Sequence, residues 1–93
     1  MTITRINEFV AAAGQADALH TFLSQVIEVV SKAPGALACQ LLRQHDDPNR
    51  LVIIEQWQSI AAHQAAAKLI PADEIAKVMP LLAQPPKGSY YQA

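Results

Sequence analysis

The stretch that decides the fold is Asp47-Pro48-Asn49-Arg50-Leu51-Val52-Ile53-Ile54-Glu55-Gln56-Trp57. Its first part is a strong turn signal, because Asp and Asn side chains bond to nearby backbone and Pro fixes φ. Its second part, residues 51–57, is rich in apolar and β-branched residues and predicts a strand. Residues 37–45 predict another strand before the turn, so the two form an antiparallel hairpin.

The second strand of this hairpin is apolar on both faces. Side chains alternate along a strand, so one face carries Leu51, Ile53, Glu55 and Trp57, and the other carries Val52, Ile54 and Gln56. A strand in a sheet with one solvent-exposed face alternates between apolar and polar residues, and this strand does not. The helices of a small domain cover only one face of its sheet. We therefore expect a second copy of the chain to cover the other, as in a homodimer.

The segment before the hairpin predicts a strand and a helix. Residues 3–10 carry β-branched and aromatic side chains and end near Gly14, as a strand followed by a turn does. Residues 16–33 predict a helix, because their apolar residues recur at steps of three and four. Pro34 and the glycine after it end that helix.

The segment after the hairpin predicts a broken helix and a final strand. Ser59 is a good N-cap for a helix over about 60–69, Pro71 interrupts it, and a further helical segment reaches about Leu82. Residues 89–92 predict the last strand. The whole order, β-α-β-β-α-β, predicts an α+β, ferredoxin-like fold with a four-stranded antiparallel sheet.

Length and composition narrow the class of protein. The chain has 93 residues, a length that predicts one domain over 1–93. Hydrophobic residues make up 52% of the sequence and charged residues only 16%. A net charge of −1 without a basic stripe argues against nucleic acid as a partner, and no apolar run reaches the roughly 20 residues of a membrane helix. The N-terminus lacks the apolar core of a signal peptide, and Cys39 is the single cysteine, so we expect a cytoplasmic protein.

Two residues are candidates for catalysis. Asn7 lies in the middle of a predicted strand, where Asn is disfavoured, and its amide could hold a substrate oxygen. His63 falls on the stripe Ile60, His63, Ala67 and Ile70, which we expect to face the sheet, and it could deprotonate a phenol. A satisfied polar group in the core is the alternative for each. If both are functional, they should line one cavity between the sheet and the second helix.

Aromatic residues are the candidates for contact with a substrate. We expect Phe9, Phe22 and Trp57 to make such contacts, although a tryptophan at the end of a strand is more often a core residue.

The charged and metal-binding residue types give two further expectations. Arg43 is expected to pair with Glu55 across the hairpin. The three histidines show no metal-ligand spacing, so neither a metal nor another cofactor is expected.

Three segments resemble the antibiotic-biosynthesis monooxygenase family. They are Asn7-Glu8-Phe9 with Gly14-Gln15-Ala16-Asp17-Ala18-Leu19, then Ala33-Pro34-Gly35-Ala36-Leu37-Ala38, and the opening stretch with its Asp-Pro-Asn turn and Glu-x-Trp ending. The resemblance implies a dimeric α/β barrel. Many members are oxygenases that act on phenolic or quinol substrates without metal or flavin, and some relatives degrade haem.

The chain departs from the family pattern on its second helix. Family members commonly carry His, or Trp in the haem degraders, nine residues after the tryptophan that corresponds to Trp57. This chain has Ala66 at that position. Haem degraders also carry an axial histidine on the following helix, and no histidine occurs between Ala67 and Gln84. Haem bound in that mode is therefore not expected.

Two functions follow from these features. The first is a cofactor-independent monooxygenase, in which His63 ionises a small aromatic phenol or quinol, O₂ takes electrons from it, and Asn7 stabilises the oxyanion. The second is a non-catalytic dimeric module of the same fold that binds a small ligand, which the alanine at position 66 favours. Oxygen uptake with a panel of quinols discriminates between them.

Overall fold

The computed structural model describes residues 2–93. The strands are β1 (Ile3–Val10), β2 (Ala36–Arg43), β3 (Arg50–Trp57) and β4 (Lys87–Tyr91), and the helices are α1 (Ala16–Val30), α2 (Ile60–Ala67) and α3 (Ala72–Val78), followed by a 3-10 turn at Met79–Leu81. This is the predicted β-α-β-β-α-β order with the second helix divided in two, so the α+β, ferredoxin-like fold is confirmed.

The four strands form one antiparallel sheet in the order β2-β3-β1-β4. Strands β1 and β3 therefore lie at its centre, as a ferredoxin-like chain requires. Arg5 of β1 lies opposite Glu55 of β3 on one side and Tyr90 of β4 on the other. Asn7 lies opposite Ile53 and Gly88 in the same way. Because directly opposite residues in a sheet share a face, these six side-chain positions face the same way.

The hairpin between β2 and β3 closes with the predicted turn. The backbone N–H of Asn49 donates to Oδ1 of Asp47 over 3.2 Å, and the backbone N–H of Arg50 donates to the Asp47 carbonyl over 3.0 Å. This is the local bonding that makes Asp a turn residue.

The break in the second helix is also confirmed. The hydroxyl of Ser59 caps α2 by accepting the N–H of Ala62 over 3.1 Å. Pro71 has the extended backbone of a residue outside a helix, with ψ at 147°, and α3 begins directly after it. Proline suits a position just before a helix because its missing N–H would have no helical partner there. Pro80 lies in the 3-10 turn that ends this region.

Several boundaries differ from the sequence prediction, and three of them are instructive. Helix α1 ends at Val30 and not at residue 33, and a turn then leads to Gly35, whose φ of 86° belongs to the left-handed region. Strand β2 ends at Arg43, two residues early. Strand β4 begins at Lys87, two residues before the predicted start, because Lys87 and Gly88 pair with β1.

The helices cover only one face of the sheet. On that face Leu51, Ile53 and Trp57 are exposed by no more than 2% and pack against apolar residues of α1, α2 and α3. On the opposite face Val52 and Ile54 are only half-buried within one chain. No helix within residues 2–93 has the length and apolar character that crossing a membrane would require.

Candidate active site

A cavity of about 270 Å³ lies between the sheet and the helices. Eleven of its fourteen lining residues are apolar: Phe9 and Ile53 from the sheet, Phe22, Leu23, Val26 and Val30 from α1, Ala67 and Ile70 from α2 and the turn after it, Ile75 and Val78 from α3, and Pro86. The three polar ones are Asn7, Glu55 and His63. An apolar cavity with a few convergent polar groups is the usual form of a small-molecule site.

His63 reaches the cavity from the start of α2. Its Nδ1 lies 2.6 Å from the hydroxyl oxygen of Tyr90, which is hydrogen-bond distance. Its Nε2 lies 3.7 Å from Oε1 of Glu55, which is too long for a hydrogen bond but close enough for charge interaction. Burial lowers the pKa of His63 below 6.5, and the positive charge of Arg5 lowers it further. The imidazole is therefore held in its neutral form.

Glu55 is a buried carboxyl in the cavity wall, with an exposed fraction of 4%. Its Oε1 accepts the indole N–H of Trp57 over 3.1 Å. Burial raises the pKa of Glu55 above its ordinary value of 4.5, while the Trp57 hydrogen bond and the charge of Arg5 oppose that rise. A carboxyl with a raised pKa is a better proton acceptor than an exposed one, so Glu55 has the chemical character of a general base.

Arg5 lies behind these groups on β1. Its guanidinium carbon stands 4.6 Å from the centre of the Tyr90 ring, as in a cation–π contact. Its Nε is buried and makes no hydrogen bond within residues 2–93. The charge is thus held close to Glu55 and His63, whose pKa values both respond to it.

Gly88 makes the space in which Asn7 and Arg5 lie. A Cβ at this position would overlap Oδ1 of Asn7 and the guanidinium group of Arg5. The backbone of Gly88 does not have a positive φ, so glycine is needed here for its missing side chain and not for its conformational freedom.

The structure brings four of the five predicted site residues to the cavity. Asn7, His63, Phe9 and Phe22 all line it, so Asn7 and His63 share one cavity as expected. Trp57 does not line it. Its ring is fully buried among residues that include Val30 and Ala66, and it connects to the cavity through its hydrogen bond to Glu55.

One expectation about neighbouring residues is wrong, and another holds in part. Arg43 does not pair with Glu55, because the hairpin register places Cys39 opposite Glu55, and Arg43 instead forms an ion pair with Asp17 over 3.3 Å. Of the predicted stripe on α2 and the turn after it, His63, Ala67 and Ile70 line the cavity and Ile60 does not, while the most deeply buried residue of α2 is Ala66. Helix α2 has only eight residues, and its apolar residues do not define a single face.

The positions of Arg5, Gly88 and Tyr90 around the cavity were not predicted from the sequence. Arg5 shares strand parity with Asn7, so an arginine on the inward face of β1 was a usable signal. The positions of Gly88 and Tyr90 depend on how β4 pairs with β1, and no local pattern in the sequence reports that pairing.

A further thiol lies beside the polar groups. Cys39 is half-buried opposite Glu55, and burial together with the Glu55 charge raises its pKa to about 11. It packs against the Trp57 cluster as a small core residue. Within the part of the chain that the structure describes, no group of three or more His, Cys, Asp and Glu side chains is placed to hold a metal ion.

Comparisons with known proteins agree with this architecture. Similar solved structures include a protein from Mycobacterium tuberculosis, with 21% identity, a TM-score of 0.86 and coverage of 100% of this chain and 95% of that one. Another is a protein from Pseudomonas aeruginosa, with 23% identity, a TM-score of 0.85 and coverage of 99% and 93%. A third is SnoaB, a cofactor-independent oxygenase from Streptomyces nogalater, with 20% identity, a TM-score of 0.81 and coverage of 99% and 92%.

Sequence comparison identifies the family directly. No curated protein sequence matches the chain. The family model described as antibiotic biosynthesis monooxygenase, however, matches residues 2–70. Because this match spans well over half of the sequence, the chain belongs to the antibiotic biosynthesis monooxygenase family.

Proposed function

We propose that this protein is a monooxygenase that oxidises a small aromatic phenol or quinol with O₂, without a metal or an organic cofactor. The observation that carries the proposal is the cavity, whose apolar wall is interrupted only by Asn7, Glu55 and His63. An aromatic ring fits the apolar part, and its hydroxyl group fits the polar end. Family membership and the likeness to a cofactor-independent oxygenase support the same class of reaction.

The reaction needs a proton acceptor and an oxyanion donor, and the cavity supplies both. His63 and Glu55 are the groups in its wall that can take the phenolic proton. The phenolate then gives one electron to O₂, and the two radicals combine to a peroxide at the ring carbon that becomes oxidised. Loss of water turns that ring carbon into a carbonyl. The carbon gives up its one hydrogen and the phenol its hydroxyl proton, so that C–H, O–H and O₂ yield two C=O groups and H₂O. The amide N–H of Asn7 stabilises the phenolate oxygen.

The protein's contribution is desolvation and orientation. The substrate itself supplies all four electrons that reduce O₂, two for the carbonyl oxygen and two for water. In the apolar cavity a phenolate is poorly solvated, which makes it a stronger electron donor, and the hydrogen bonds of the polar end fix its position.

A homodimer is part of the proposal. The face of the sheet that lacks helices carries half-buried Val52 and Ile54, together with exposed Leu42 and Tyr91, whose exposed fractions are 40% and 53%. A second copy placed on this face would bury those side chains. Sedimentation at micromolar concentration should show a dimer, and a monodisperse monomer would contradict this part of the proposal.

The experiment is oxygen uptake with quinols and hydroxylated naphthalenes, in the presence of a metal chelator. Asn7→Ala and His63→Ala should each lower turnover by about 10²-fold or more, the scale of a lost oxyanion donor or general base. His45→Ala is the matched control, because this exposed histidine lies outside the cavity and its loss should leave turnover unchanged. Full activity in both cavity variants would refute the assignment.

The alternative is a non-catalytic module that binds a small apolar ligand. Ala66 favours it, because this position is buried against Trp57 and places no proton acceptor in the cavity. Saturable binding of a hydroxylated naphthalene, with no oxygen consumed by any member of the panel, would decide for this alternative.

A further inference from the structure

Both ring nitrogens of His63 face a polar neighbour. Nδ1 lies 2.6 Å from the hydroxyl oxygen of Tyr90, and Nε2 lies 3.7 Å from Oε1 of Glu55. Glu55 and His63 line the cavity, and Tyr90 is not among its lining residues. Because Nδ1 is occupied by Tyr90, Nε2 is the ring nitrogen left for a ligand.

These neighbours decide which nitrogen carries the proton. A neutral imidazole has one N–H and one acceptor nitrogen, and a carboxylate can only accept. The charge of a Glu55 carboxylate favours hydrogen on Nε2, although 3.7 Å is too long for a hydrogen bond, and in that form Nδ1 accepts the O–H of Tyr90. The ring of Tyr90 is itself fixed, edge-on to His63 with centroids 5.3 Å apart and beneath the guanidinium of Arg5.

We propose that Tyr90 is a positioning residue that locks His63 in the Nε2–H form, and that Glu55 is the catalytic residue that accepts the substrate's proton. His63 then presents an N–H to the cavity, which can donate to a phenolate oxygen but cannot remove a proton from a phenol. This inference rests on the proposed function for its catalytic half only, because the Tyr90–His63 contact exists without substrate.

The proton balance closes within the site. The phenol transfers its proton to the Glu55 carboxylate, and the negative charge moves to the substrate oxygen, where His63 Nε2–H and the Asn7 amide donate to it. After the phenolate and O₂ have combined, the peroxide anion takes the same proton back from Glu55. The carboxylate is thereby restored, and the peroxide is protonated before it loses water.

The electrostatic surroundings of Glu55 suit this role. Arg5 on β1 favours its carboxylate form, and Trp57 donates a hydrogen bond that does the same. Cys39 on β2 lies opposite, with a thiol that stays protonated because its pKa is about 11. Burial raises the pKa of Glu55 against these two effects, which makes its carboxylate a better proton acceptor than an exposed one.

The first experiment tests Tyr90 without any turnover. In protein labelled with ¹⁵N, the long-range ¹H–¹⁵N spectrum at neutral pH reports which nitrogen of each histidine is protonated, and His63→Gln identifies the His63 signals. The wild type should show His63 with hydrogen on Nε2 alone, and Tyr90→Phe should shift the Nδ1 resonance and populate the other form. Tyr91→Phe is the matched control, since this exposed neighbour pairs on the opposite face. Hydrogen on Nδ1 in the wild type would overturn the proposal.

The second experiment tests Glu55 by the pH dependence of kcat/KM. Glu55→Gln should lower kcat/KM by about 10²-fold or more and remove the acidic limb of the profile. Tyr90→Phe should lower kcat by about tenfold with little change in KM, the scale of losing a partner that orients a histidine. If the acidic limb survives in Glu55→Gln and disappears in His63→Gln, His63 is the base and the inference is wrong. If the wild type consumes no oxygen with any substrate, the proposed function fails while the spectrum still decides the role of Tyr90.

Discussion

Adding one methyl group at Gly88 should disable the cavity and leave the fold intact. In Gly88→Ala, the new Cβ would overlap Oδ1 of Asn7 and the guanidinium of Arg5. Both are ends of flexible side chains, so they can move without displacing backbone. The backbone of Gly88 does not have the positive φ that would strain an alanine, so the substitution acts through these two side chains.

The size of the effect follows from the overlap. Relieving it moves the Asn7 amide by about 1 Å, and a displacement of that size in a positioning group costs about 10²-fold in rate. The strand itself gains, because glycine weakens a strand by about 0.5–1 kcal/mol relative to alanine. We therefore expect a turnover lower by about 10²-fold in Gly88→Ala, with an unfolding free energy changed by less than about 1 kcal/mol.

Oxygen uptake and urea unfolding, measured on the same preparation, check the two parts. Gly14→Ala is the matched control, because Gly14 has a φ of 75° and a Cβ added there would meet nothing within 4 Å. Because alanine is disfavoured in this left-handed conformation, Gly14→Ala should lower the unfolding free energy by about 1–2 kcal/mol, while its turnover stays at the wild-type level. Wild-type turnover in Gly88→Ala, or parallel losses of activity and stability in both variants, would refute the reasoning.

Three further predictions concern Ala66, Glu55 and Cys39. Ala66→His should lower the unfolding free energy by about 1–3 kcal/mol, because Ala66 is only 2% exposed and packs in the Trp57 cluster. Urea unfolding measures this change, and Ala67→His at the exposed neighbouring position is the control. Burial raises the pKa of Glu55 on folding, so the contribution of this carboxyl to stability is full below pH 4.5 and is lost as pH rises through the raised pKa. The difference in unfolding free energy between Glu55→Gln and the wild type should therefore grow in favour of the variant as pH rises above 4.5, and a constant difference would contradict this. With a pKa of about 11, Cys39 should react with a thiol reagent at about pH 8 on the order of 10²-fold more slowly than a free cysteine, and an equal rate would show that the thiol is not buried as described.

The sequence was sufficient for the fold because its local signals agree with the final pairing. The Asp47 turn, the Ser59 cap and the break at Pro71 each act within a few residues, and each occurs where it was predicted. The end of α1 was placed too late because residues 31–33 carry no stop signal of their own, and Pro34 is the first visible one. The start of β4 was also missed, because it depends on hydrogen bonds to β1 and not on local propensity.

The candidate site could be predicted only in part, for a related reason. Asn7 stood out because an amide in the middle of a strand conflicts with local preference, and His63 because it falls on the stripe Ile60, His63, Ala67 and Ile70. Tyr90 could not be found, since its contact with His63 joins residues 27 positions apart through the pairing of an edge strand. The register of the hairpin likewise decided against a pair between Arg43 and Glu55.

The division of the second helix has a consequence for how a ligand enters. Helices α2 and α3 have eight and seven residues, both shorter than the roughly 12–15 residues at which an isolated helix becomes even marginally stable in water. Their persistence depends on packing, and next to the cavity that packing is incomplete. Their backbone amides should therefore exchange with deuterium well before those of the central strand β1, through local opening that leaves the sheet folded. Such opening of this wall would widen the way into the cavity for a substrate, and bound ligand should slow the exchange of residues 60–78 selectively.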